Sequence, residues 1–300
     1  MTARLLVMLV AATCAGPAGA QEPTRDQWLA LAKADFAVPA GDTAIGLLIE
    51  MNALLASPDP VLRDEVAYSA AAAWIVGKRL VAPDDLRRLL TLWTANLDDG
   101  LGTAGDDRVL RRSFSALCLS LIAAREAATP FLTATEVETF FARLLDYFAR
   151  ERDRRGFVPG RGWVHAVAHT ADAFKFLARG PQWTPAQSAR LLDAVRATLQ
   201  ASDAVFVWGE QARLGAALHA AVRRPDADAA AFEAWTTRWT DAHRALWANG
   251  PQIDPARFAP VENAAQTLRA LAALLAMETS PTPTGESARR ATLAALARMR

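Results

Sequence analysis

"PDDLRRLLTLWTANL", residues 83–97, decides how this chain is read. Leu86, Leu89, Leu90, Trp93 and Leu97 recur at the spacing that lines up one apolar stripe on an α-helix. The stretch has two echoes. Residues 133–148, "TATEVETFFARLLDYF", set Val137, Phe140, Phe141, Leu144 and Phe148 at the same spacing. Residues 184–199, "TPAQSARLLDAVRATL", do so with Leu191, Leu192, Val195 and Leu199. Pro83, Ala134 and Pro185 are successively 51 residues apart, and threonine or proline opens each helix, as N-cap and first-turn positions prefer.

The intervening helices echo one another too. "DPVLRDEVAYSAAAAWI" from Asp59 and "DRVLRRSFSALCLSLI" from Asp107 share Asp-x-Val-Leu-Arg ahead of an apolar run, at an offset of 48. A period near 50, each unit a helical hairpin, predicts an all-α fold: an α-solenoid of about five stacked antiparallel helix pairs, HEAT- or armadillo-like. Each pair exposes an apolar face that its neighbour covers. A short segment from Trp28 to Phe36 caps the start, and the fourth pair is compressed, with Phe232, Trp235 and Trp239 repeating the stripe about 44 residues on. The last pair is expected from Val261 to Met277 and from about Gly285 onward, with Ser280–Gly285 as the turn between them. Residues 21–300 read as one domain.

Residues 1–20, "MTARLLVMLVAATCAGPAGA", have the pattern of a secretory signal peptide: basic Arg4, an apolar stretch from Leu5 to Ala12, and Ala18-Gly19-Ala20 before Gln21. The apolar stretch is too short to span a bilayer, so the expectation is export to the periplasm or beyond, with no transmembrane anchor after cleavage. Cleavage would remove Cys14 and leave Cys118, inside the apolar "FSALCLSLIA", as a buried, inert thiol. No internal disulfide or cysteine-based metal cluster is then expected. The chain carries 33 Lys and Arg against 32 Asp and Glu, and loss of Arg4 brings them into balance. Such a balance does not favour nucleic acid or anionic lipid, either of which usually wants a basic face, and no nucleic-acid partner is expected.

Two of the four histidines lie in "GWVHAVAHTADAFKF", residues 162–176. On one helix, His165, His169, Asp172 and Phe176 fall within about 60° of one another, opposite Val164, Val167, Ala171 and Phe174. His165 and Asp172 would be about 10.5 Å apart along the axis, too far to share one ion. A divalent metal on His165 and His169 therefore needs a third ligand, for which Glu210 in "GEQARL" is the candidate. Asp172 would orient the His169 imidazole, making His169, Asp172 and Glu210 the catalytic candidates. Arg213 would pair with Glu210 or Asp172. The preceding loop, "RDRRGFVPGRGW", holds Gly156, Gly160 and Gly162, which permit tight turns or close approach to a ligand; the competing reading is a long inter-helix turn.

The histidine row thus has three readings: hydrogen bonds between repeats, the lining of a small-molecule or peptide groove, or a metal or acid–base site. His219 and His243 stand singly and read as core or surface residues. G-x-S-x-G, H-E-x-x-H, G-x-x-x-x-G-K-[ST] and a strand-following G-x-G-x-x-G are all missing, which leaves the corresponding hydrolase, zincin, nucleotide and dinucleotide mechanisms unsupported.

Four segments, "RDEVAYS" (Arg63–Ser69), "RRSFSALCLSLI" (Arg111–Ile122), "RGFVPGRGWVHAVAHTAD" (Arg155–Asp172) and "GEQARL" (Gly209–Leu214), resemble the bacterial family carrying the domain of unknown function 2785. The resemblance extends over most of the mature chain. Gly-Trp-x-His-Ala-x-Ala-His-x-x-Asp is its specific element, matched by Gly162, Trp163, His165, His169 and Asp172, with Glu210 and Arg213 matching the later one. The resemblance implies no established activity and does not choose between structure and chemistry, but it groups these seven residues as a set, and they are the ligand-binding candidates. The expected function is a binding or scaffold module with a groove near this helix, its partner a small molecule, a peptide or an envelope protein. The alternative is a hydrolase using His165, His169 and Glu210, with or without a divalent metal.

Overall fold

The computed structural model describes residues 23–248, 250 and 252–300; the predicted signal peptide lies outside them. The fold is all-α. Its helices are α1 (Arg25–Lys33), α2 (Ala44–Glu50), α3 (Ser69–Ala72), α4 (Pro83–Asn96), α5 (Arg108–Ala128) and α6 (Ala134–Arg150). They continue with α7 (Ala166–Leu177), α8 (Pro185–Gln200), α9 (Glu210–Val222), α10 (Ala229–Trp247), α11 (Pro255–Ala276) and α12 (Pro283–Arg298).

The three helices of the 51-residue period begin at the residues the sequence names, because their starts are chemically marked. Thr133 and Glu136 close a reciprocal capping box on α6, and Thr184 and Gln187 close one on α8. Pro83 opens α4 with Asp84 and Asp85 in its first turn, where carboxylates favour the helix dipole. The stripes then turn inward: Leu86, Leu89, Trp93, Val137, Phe141, Leu144, Leu191 and Val195 are all buried. Each contributes about 1.5–3 kcal/mol relative to exposure.

α5 packs on α7, α7 on α9 and α9 on α11, while α4 meets α6, α6 meets α8 and α8 meets α10. One buried apolar cluster includes residues from Trp28 to Met299. Helices α5 and α7 lie deepest, with Ser113–Ala123 and Ala166–Phe174 buried throughout. The predicted division of α7 into an apolar and a polar face therefore gives way to burial on every side. α11 starts at Pro255 instead of near Val261, because Asp254 caps it and Pro255 supplies its first turn.

The helical run 61–77 departs from a plain α-helix. It is π-helical over Val61–Tyr68 and Ala73–Gly77, with α3 between. Such wider turns are rare and concentrate at functional sites.

Candidate functional site

The approach to α7 is a built structure, not the plain inter-helix turn that composition allows. Fully buried Arg112 forms a two-pronged ion pair with Glu151 at 2.7 and 3.1 Å, fixing the end of α6. Buried Asp153 accepts from the Gly105 backbone and from Arg155. Two short strands, β1 (Phe157–Val158) and β2 (Gly162–Trp163), then pair antiparallel. Arg63, fully buried in the π-helical segment, donates to the carbonyls of Ser57, Arg161 and Trp163 and so clamps the hairpin to the run 61–77. Gly162 is required there: its φ is +73°, and a Cβ would lie 2.8 Å from Pro60 Cβ.

This hairpin changes where His165 sits. Gly162 and Trp163 belong to β2, and His165 is the N-cap of α7 in the left-handed region, with φ 54° and ψ 31°. A single helical row running from His165 to Asp172 is therefore not formed. Glycine-driven strand pairing consumes the residues that would have been its first turn. A non-glycine residue held at positive φ costs on the order of 1–3 kcal/mol, strain that clusters at working sites.

His169 lies on α7, buried, with Nδ1 2.7 Å from Ser113 Oγ on α5. Ser113 donates its single proton to the Val164 carbonyl, so its oxygen accepts from His169 Nδ1–H. That fixes the tautomer and leaves the lone pair on Nε2. Asp172 was the expected orienter, but the role falls to Ser113; one helical turn carries Asp172 away to other partners. Phe114 meets the His169 ring edge-on at 5.0 Å. Burial holds His169 well below its ordinary pKa, and His165 and Arg213 push the same way.

His165 faces α9. Its Nε2 is buried without a hydrogen-bond partner, 3.6 Å from Glu210 Oε1. Burial, with Arg213 nearby, pulls His165 down to about 4, against the opposing influence of the Trp208 backbone. Burial raises the Glu210 carboxyl, while N–H donation from its own backbone and from Trp208 restrains the rise. The Glu210 loop is held from α11: Asn263 donates to Ser202 Oγ and the Ala204 carbonyl and accepts from Phe206 N–H and Gln211 Nε2. Trp163 stacks on the His165 ring at 4.8 Å, and Phe157 and Trp208 complete a half-exposed aromatic cluster above the pair.

Asp172 and Arg213 sit on the far side of this region. Arg213 Nη1 donates to Asp172 Oδ2, and Lys175 Nζ donates to Oδ1 at 2.8 Å. Arg213 therefore pairs with Asp172 and not with Glu210. Asp172 is buried, whereas Arg213 is half-exposed at the mouth of a groove of about 520 Å³ between the run 61–77, α5 and α7. Tyr68 stands at the same end, its hydroxyl pushed up to about 12 by burial. One turn before it, Asp64 is pushed up to about 6 by burial, against the pull of Arg63.

Seven candidates are thus divided: His165, His169, Glu210 and Trp163 gather at the entrance of α7, with Gly162 shaping it, and Asp172 with Arg213 wall the groove. Among the described residues, no group of three or more His, Cys, Asp or Glu is arranged to hold a metal ion. His165 and Glu210 approach one another, but the third metal ligand that the site needs is not supplied. His219 bonds Glu278 at 2.6 Å and His243 bonds Trp247, as single structural contacts. Cys118 is fully buried and burial raises its thiol, keeping it protonated. Sequence reading missed Ser113 as the partner of His169, Arg63 as the hairpin clamp, and Asp64, Tyr68 and Lys175. The spacing of Asp64 and Tyr68 within "RDEVAYS", four apart on one helix face, was the available signal.

No helix among the described residues is long and apolar enough to cross a membrane. Neither the curated proteins nor the solved structures contain a match to the chain. The family model described as "Protein of unknown function (DUF2785)" matches residues 97–273, which include every seven-residue-set candidate but not Arg63–Ser69. With more than half of its length matched, the chain belongs to the DUF2785 family.

Proposed function

We propose that this chain is a non-catalytic binding protein, a helical-repeat scaffold of the solenoid type acting outside the cytoplasm, whose ligand lies in the groove beside α7. One observation carries this reading: Arg213, half-exposed, is held at the groove mouth by buried Asp172, so a fixed charge faces an open apolar-walled space. Ligand sites combine such walls with a few oriented polar groups. The volume, about 520 Å³, lies in the ordinary range for small-molecule pockets. The test is a thermal-shift screen of small acids, alcohols, amines, sugars and short peptides, repeated on Val76→Trp. Val76 is a half-exposed groove wall, so tryptophan there fills the space with little cost to the core. Stabilising compounds that lose their effect in Val76→Trp support the reading; compounds that act equally on both proteins, or none acting at all, overturn it.

A second reading rests on the other half of the region. His165 Nε2 and Glu210 Oε1, 3.6 Å apart and buried, are neighbours whose protonation burial has shifted, as in acid–base sites. A hydrolase would use this pair, with His169 Nε2 as a further base. Its test is Glu210→Gln and His165→Gln against a panel of ester and amide substrates. Hydrolysis by the parent that disappears in both folded variants supports the enzyme; equal rates in parent and variants sink it.

A further inference from the structure

We infer that the groove binds a long-chain aliphatic carboxylate, a free fatty acid, with its head at Arg213 and its tail toward Val76. This inference rests on the binding reading above and names the ligand class. The groove is amphipathic along its length. Ala72, Ala73, Val76, Leu121 and Phe176 supply apolar wall from three elements, whereas Tyr68, Lys175 and Arg213 supply donors at one end. A ligand matching both parts needs an apolar body and a hydrogen-bond-accepting head.

The charge at that end selects the head. Asp172 accepts from Lys175 on one oxygen and from Arg213 on the other, so one carboxylate is shared between two cations. One positive charge remains in excess. A single negative charge balances it, whereas a doubly charged phosphate overcompensates and a neutral hydroxyl leaves it unanswered. Arg213 spends Nη1 on Asp172 and keeps further N–H donors on the same planar fork, which suits a two-oxygen carboxylate. Tyr68, with its hydroxyl pushed up to about 12, remains an O–H donor at neutral pH. Asp64, one turn from Tyr68, is the nearby opposing charge, and it lies outside the groove wall.

The π-helical turn over Ala73–Gly77 shapes the tail end. Val76 is 41% exposed there, and residues 72 and 73 are alanines, so the wall is apolar yet shallow in side-chain bulk. Phe176 closes the opposite wall under Lys175, whose ammonium lies 4.3 Å from the ring centroid.

The test is calorimetric titration of the full chain with dodecanoate and, separately, dodecanol, which shares the tail but lacks the charge. The parent should bind one dodecanoate, and dodecanol about tenfold or more weakly, the range of a lost charge-assisted hydrogen bond. Arg213→Gln should remove that preference, with Lys175 still partnering Asp172. Val76→Trp, which leaves all the charges in place, should abolish binding of both, with the helical circular-dichroism spectrum unchanged. Equal binding of dodecanoate and dodecanol, dodecanoate binding unaltered in both variants, or no saturation up to about 1 mM each overturns the inference. If dodecanoate fails while other compounds still lose their stabilising effect in Val76→Trp, the ligand class alone falls. If Val76→Trp blocks nothing, the binding reading falls with it.

Discussion

His165 Nε2 and Glu210 Oε1 lie 3.6 Å apart, both residues buried, with no hydrogen bond between them. The contact joins the N-cap of α7 to the first residue of α9, two elements 45 residues apart in sequence and held by different loops. Neither group is in its ordinary protonation range. The pair therefore reports on the region through pH.

His165 has an ordinary pKa of 6.5 and a folded value pulled down to about 4. Between those values the unfolded chain binds a proton that the native chain refuses. Stability contributed by the neutral ring is thus full above pH 6.5 and drains as pH falls toward 4, by about 3 kcal/mol at the limit. His169 shifts in the same sense. Urea unfolding at pH 7.5, 6 and 4.5 should show His165→Gln losing less stability on acidification than the parent. Parallel curves for parent and variant would contradict this.

Asp64 has the opposite sign. Its carboxyl, pushed up to about 6 by burial, disfavours the native state wherever it must ionise, and that penalty is full above pH 6 and relieved as pH falls toward 4. Asp64→Asn should therefore stabilise the protein at pH 7.5 by about 1–2 kcal/mol, discounted for partial solvent exposure. The gain should shrink at pH 4.5. A loss of stability at pH 7.5 would show instead that ionised Asp64 is held favourably by Arg63.

Ser113→Ala removes both halves of a short relay, the acceptor for His169 Nδ1–H and the donor to the Val164 carbonyl. The expected cost is about 1–3 kcal/mol, because two buried polar groups lose a partner at once. Nitrogen chemical shifts of the His169 ring should show the Nδ1–H form in the parent and a mixture of tautomers in the variant. A parent ring protonated on Nε2 would refute the assignment.

Much of this could be read from the chain itself. The 51-residue period placed α4, α6 and α8 because Pro83, Thr133 and Thr184 announce helix starts in local chemistry. The residues that gather around α7 were also legible as a set. Their roles were not, because each role depends on what a distant segment does. Helical periodicity puts His165 on α7, but the clamp from Arg63, about 100 residues earlier, favours a hairpin there and the helix starts one residue after His165. Proximity in sequence points to Asp172 as the neighbour of His169, yet Ser113, 56 residues away on α5, is its partner. In a buried helix every face has a partner, and the partner's identity is tertiary information.

Gly156 gives a last prediction, on the aromatic cluster over His165. Its backbone φ lies outside the left-handed region, so any residue suits it conformationally; what excludes a side chain is space. A Cβ there would lie 2.2 Å from Trp208 Cδ1 and 2.5 Å from Cγ, inside any real contact. Gly156→Ala must therefore displace Trp208, which is 46% exposed and carried on the loop that Asn263 anchors. The displacement breaks the contacts of Trp208 with Phe157 and Trp163, at about 1–3 kcal/mol for overpacking. Iodide should quench tryptophan fluorescence more strongly in the variant. Trp208 Cβ would itself lie 2.7 Å from the Cβ added at residue 156, so Trp208→Gly is needed to remove the clash, and the double variant Gly156→Ala/Trp208→Gly should be more stable than the sum of the single losses predicts. Simple additivity would mean that Gly156 is constrained by something other than Trp208, and the aromatic cluster would lose its claim to a fixed position above His165 and Glu210.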